Sequence, residues 1–136
     1  MTKEEFIKWE RSSVDTIDVK RVYIDVAGDI VAGILLSQII FWFLPNKKGE
    51  NKIRVVRNGI GYLAKNRTDW WEECRIKPRQ YDTAIEKLKK KGVVEVMNSL
   101  FRNKRTPLIT INFKILVELI EKAEDAHFKI DLGWEM

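Results

Sequence analysis

Across 136 residues, 45% hydrophobic and 33% charged content is ordinary for a globular chain with one core of its own. With one cysteine, Cys74, and one histidine, His127, an intrachain disulfide is excluded, and there is no nucleophile–base set or metal-ligand spacing, so neither an enzyme nor a cofactor is expected. The net charge of +5 is modest but uneven: between Arg75 and Arg105 ten Lys or Arg face three Asp or Glu, a local +7, and the other residues sum to −2.

Taken in chain order, Thr2 and Glu5 fit a capping box, and Phe6 with Trp9 forms a short apolar edge, which predicts a brief helix over 3–11. The opening MTKEEFIKWERSS has no apolar run behind its charges, so no secretory signal is read and a cytoplasmic location is expected. In RVYIDV the alternation of Val22, Ile24 and Val26 predicts a short strand or extended arm. Residues 30–44, IVAGILLSQIIFWFL, carry no charge. As a helix they span only about 22 Å against a hydrocarbon core of about 30 Å. No membrane span is expected, but a buried core helix, capped by Asp29 after Gly28 and stopped by Pro45.

A polar loop, PNKKGENK, follows over 45–52, and Asn58-Gly59 marks a hairpin between two β-leaning runs. Thr68 is placed to cap a helix over 68–74. The residues Arg75, Ile76 and Lys77 separate it from Pro78, which suits a first helical position. That second helix runs over 78–91, ends at Gly92, and turns Tyr81, Ala84, Ile85 and Leu88 inward. Two β-leaning runs, 93–97 and 107–112, joined by the basic stretch NSLFRNKRT, predict a hairpin over 93–112. A closing amphipathic helix is predicted over 113–122. The acidic tail, 123–136, with Trp134, receives no assignment.

A short helix, a three-residue turn plugged by an apolar Ile76, a longer basic helix and a β-hairpin make up the order of a winged helix-turn-helix. The expected class is therefore α+β, mainly α, with an N-terminal arm over 1–21, a DNA-binding domain over 22–122 and a C-terminal tail over 123–136. In such folds the second helix enters the major groove and the wing reaches the backbone. With the apolar face inward, Arg79, Gln80, Thr83 and Lys87 point outward and carry groups able to read base edges. The candidates for backbone contacts are Lys77, Lys89, Lys90, Arg102, Asn103, Lys104 and Arg105. A solvated helix face, or a face used against another protein, is the competing reading.

The stretches VYIDVAGDIVAGILLSQIIFWF, GYLAKNRTDWWEECRIKPRQYDTAIEKLKKKGVVEV and LITINF, spanning Val22 to Phe113, resemble the N-terminal winged-helix domain of phage- and plasmid-encoded replication proteins. The resemblance rests on LLSQIIFW as the first core helix, Trp70-Trp71 in the short helix, and RQYDTAIEKLKKKGVVEV as a recognition helix running into a wing. It implies sequence-selective binding of double-stranded DNA during replication initiation or its regulation, with a replication protein as a further partner. Proteins of that group continue into a second domain that engages helicase-loading machinery, for which this sequence has no counterpart. Two other readings stand beside it. One is a winged-helix transcriptional regulator, a homodimer through the 113–122 helix. The other is an interaction module that binds no nucleic acid.

Overall fold

The computed structural model describes the backbone of residues 1–135, and the side chains of those residues except Phe101 and 126–135. Among them the chain forms six helices and one four-stranded antiparallel sheet, an α+β arrangement. Its centre is α3 (Ile30–Phe43), a helix apolar on all sides whose Leu35, Leu36 and Ile39 are fully buried. The side chain of Asp29 starts it by accepting the Ala32 N–H at 3.0 Å, and Pro45 prevents its continuation. No single helix among the described residues is long and apolar enough to cross a membrane. The α2–α3 pair reaches the required hydropathy only across a 116° bend.

Two helices precede α3. The first, α1 (Lys3–Ser12), is capped by Thr2 as expected and buries none of its residues. The second, α2 (Arg21–Ala27), occupies the segment for which a strand or extended arm is predicted. Over seven residues, β-branched alternation and a helical stripe are hard to tell apart. Packing decides the matter, because Val26 and Ala27 are buried and Tyr23 packs on the same core. Gly28, at φ +74°, ends the helix and turns the chain into α3. Gly33 makes the close approach of the two helices workable, since a Cβ there would lie 2.7 Å from the Ile24 Cα.

After the loop come β1 (Val55–Arg57) and β2 (Ile60–Ala64), joined at Asn58-Gly59, both with positive φ, as that dipeptide predicts. Next are α4 (Trp70–Cys74) and α5 (Pro78–Lys90). The cap of α4 is Asp69 and not Thr68; its carboxylate turns back to accept the Asn66 N–H at 2.8 Å, which ties off the preceding turn. Ile76, 3% exposed, plugs the Arg75–Lys77 turn. Trp70 is fully buried and stacks on Tyr81 across the two helices, with ring centroids 6.1 Å apart. Burial pushes the Tyr81 phenol up to about 12.

The chain closes with β3 (Val94–Phe101), β4 (Lys104–Ile111) and α6 (Phe113–Glu135). The sheet order is β1-β2-β4-β3. Both hairpin strands are longer than the predicted runs, because Arg102 and Asn103 both take positive φ and make a two-residue turn. Pro107 lies within β4 opposite Asn98, not at its start, and its carbonyl accepts the Lys65 N–H. The closing helix extends well past 122, through most of the segment left without assignment. The Trp134 side chain lies outside the described residues.

Gly33→Ala is expected to lower stability. Overpacking costs about 1–3 kcal/mol, and a gain in helix propensity of up to about 1 kcal/mol offsets only part of it. Urea denaturation of the variant checks this, and an unchanged or raised midpoint would mean that α2 and α3 are not in close contact.

Candidate nucleic-acid interface

Amphipathicity sets α5 apart from α3. Tyr81, Ala84, Ile85 and Leu88 are buried as predicted, which leaves the opposite face to polar and basic side chains. On that face Arg79, Gln80, Thr83 and Lys87 line one depression of about 350 Å³, joined there by Asp29 and Val31 of the α3 entry. The four candidate base-reading residues are thus brought together, but not all are free. The Gln80 Oε1 accepts the Lys77 backbone N–H at 2.8 Å and so caps the helix, leaving its amide N–H₂ available. Thr83 donates its hydroxyl to the Arg79 carbonyl at 3.3 Å. Lys87 pairs with Asp29 at 3.2 Å.

Among the candidates for backbone contacts, Lys89 pairs with Glu86 one turn away, at 3.0 Å. Arg102 and Asn103 form the turn at the hairpin tip, flanked by Lys104 and Arg105. Among the described residues, Lys77, Arg79, Lys90, Lys104 and Arg105 are exposed and have no carboxylate partner. Arg102 also lines a groove of about 230 Å³ with Lys52, Arg54 and Lys65. Lys52 and Arg54 were not among the sequence candidates. They lie far from the charge cluster in the chain, and the sheet brings β1's approach beside the hairpin tip.

No family model matches the chain. No curated protein and no solved structure matches it either.

Three carboxylates hold the basic elements in place, and none was singled out in the sequence as an ion-pair partner. Arg67 grips Asp82 of α5 through two hydrogen bonds, Nε to Oδ1 at 3.0 Å and Nη2 to Oδ2 at 2.6 Å. Asp29 ties α5 to the start of α3. Glu73 of α4 pairs with Lys65 at the end of β2 and accepts the Trp42 Nε1–H at 2.8 Å. Lys65 sits over the Trp42 and Trp70 rings, at 4.9 and 4.6 Å from their centroids. Burial pushes the Lys65 ammonium below its ordinary value, opposed in part by the Asp69 charge. Cys74 is buried, and that burial raises its thiol, partly countered by a hydrogen bond with the Ile76 backbone, so it stays protonated at neutral pH. No group of three His, Cys, Asp or Glu among the described residues could hold a metal ion.

Asp29 is held below its ordinary carboxylate value by the Ala32 N–H and then by Lys87, and Asp82 is held below it by the Arg67 guanidinium. A carboxylate with a depressed folded pKa contributes stability above its unfolded value, 3.8 here, and loses it as pH falls through the folded one. The urea midpoint is therefore expected to fall below about pH 4. An Asp29→Asn/Asp82→Asn double variant should fall less steeply over that range. Parallel curves for the two proteins would mean that neither pair forms in solution.

Proposed function

We infer that the chain is a winged helix-turn-helix protein that binds double-stranded DNA, with α5 as the recognition helix and the β3–β4 hairpin as the wing. One observation carries this reading: α5 buries one face completely while its N-cap, its other face and the hairpin tip together expose five basic side chains without acidic partners among the described residues. The topology supports it, since β2 pairs with β4, β4 pairs with β3, and α4 and α5 lie between β2 and β3 in the chain. Clustered cations without partners favour a polyanion because their binding releases counterions condensed on phosphates. Arg79, at the first turn of α5, is the base-reading residue least encumbered by its own chain. The biological setting is replication initiation or its regulation in a phage or plasmid, a reading supported by the sequence resemblance alone.

A second reading, a dimeric winged-helix transcriptional regulator, draws on α6. There Phe113 and Val117, one turn apart, are 49% and 48% exposed, which is the apolar stripe a seam between two copies would use. A palindromic binding site would accompany such a dimer.

Duplex binding is expected to be steeply salt-sensitive. Neutralising about five phosphates gives a slope near −4.5 for log K against log salt, and a slope near zero would leave only an interaction module. Arg79→Ala should cost about 1–3 kcal/mol on a preferred site selected from random duplexes, and relax its selectivity. Lys104→Ala should weaken preferred and scrambled duplexes about equally and reduce the salt slope by roughly one. Identical losses on both duplexes for both variants would mean that α5 is not the reader.

A further inference from the structure

A cleft of about 500 Å³ opens between the N-terminal arm at residues 16–18, the C-terminal half of α3, and α4. It shares no lining residue with the α5 face, so a ligand bound here is independent of the duplex reading. Its walls carry the carboxylates of Asp18, Asp69, Glu72 and Glu73 and the rings of Phe41 and Trp42. The one cation lining it, Lys65, is taken up by Glu73. The Asp69 carboxylate is engaged by the Asn66 N–H. The carboxylates of Asp18 and Glu72 have no hydrogen bond or ion pair among the described residues.

A second observation points into the same cleft. Gln38 lines it, is only 7% exposed, and its side-chain amide has no hydrogen-bond partner among the described residues. The amide is not sealed from water, so it is open toward the cleft and available to a ligand's hydrogen bonds.

We propose that this cleft is a docking site for an arginine side chain carried on a segment of a partner protein. The cleft offers acceptors of two kinds, the Asp18 and Glu72 carboxylates and the Gln38 carbonyl oxygen, beside an aromatic face. A guanidinium brings five N–H donors, no acceptor, a permanent charge and a flat surface that stacks on rings. Phe41 is 51% exposed, and Lys52 lies 3.5 Å from its ring centroid, so the ring attracts a cation and a guanidinium stacking on that face would have to displace this lysine. Four carboxylates against Lys65 in the lining and Lys52 over Phe41 leave the cleft net acidic, in a protein whose net charge is +5, which disfavours phosphates and favours a basic partner.

The test is a titration of the full chain with an acetylated, amidated Gly-Arg-Gly peptide, followed through the side-chain amide signals of Gln38 by NMR. Peptides with citrulline or lysine in place of arginine run in parallel. A saturable shift is expected with the arginine peptide, and binding about tenfold weaker with citrulline, which keeps the shape and loses the charge. The Asp18→Asn/Glu72→Gln variant should lose a similar factor, and both positions are exposed, so its fold is preserved. No shift, or equal shifts with arginine and citrulline, overturns the proposal. Lysine binding as tightly as arginine removes the guanidinium from it. Gln38 signals that move with protein concentration alone make the occupant a second copy, and the partner assignment falls.

Discussion

A helix without a polar face needs cover along most of its surface, and α3 is such a helix, with Ile30 and Phe41 near its ends left exposed. Its fully buried Leu35, Leu36 and Ile39 have no solvent-facing alternative, so α2, α4, α5 and β2 all pack around it. Each of those neighbours spends its apolar side on α3 and turns its remaining side outward. This is why α5, strongly amphipathic and rich in lysine, presents a fixed basic face and not a rotating one. Tyr81 and Leu88, near opposite ends of α5, are both anchored in the one core cluster. The direction in which Arg79 points is thus decided by side chains that carry no charge.

The ion pairs refine that orientation. Surface pairs contribute little to stability, commonly under about 1 kcal/mol each, and Arg67–Asp82, with both members about half exposed, belongs to that class. Their effect here is one of position. Asp82, Glu86 and Asp29 are acidic groups at the basic face, and each is answered by a cation from the same chain, which limits the repulsion a phosphate would meet. The cost is that Lys87, whose sequence position suggested base reading, is committed to Asp29. Glu73 plays the corresponding role on the other side of α4, joining Lys65 to the Trp42 indole.

Legibility in the sequence tracks the range of the interactions involved. The ends of α3, the Asn58-Gly59 turn, the Ile76 plug, Pro78 at the start of α5 and its four-residue buried face all depend on neighbours within a turn or two, and all were readable. The conformation of Val22–Val26 was not, because α2 packs on α3, closely at Gly33, and on α6, and no local pattern records those contacts. The strands of the hairpin run longer than their apolar runs because Arg102 and Asn103 adopt left-handed geometry without a glycine to announce it. The pairs Lys87–Asp29 and Arg67–Asp82 join residues 58 and 15 positions apart. Charge counting located the basic region, but only tertiary structure separates its free cations from its committed ones.

The length of the hairpin bears on how these cations work together. Eight-residue strands extend about 26 Å, and their inner ends are fixed to the core through Val94, Ile109 and Ile111. Beyond Leu108 the strands carry mostly exposed residues, so Lys104 and Arg105 stand out from the body while α5 stays against it. A basic surface confined to α5 could touch one stretch of a polyanion. With a second basic element held at a distance by the paired strands, the same number of cations could meet charges spaced along a longer ligand. That geometry suits an extended, regularly charged partner better than a compact anion, and under the proposed duplex reading it would divide base reading by α5 from backbone contact by the hairpin.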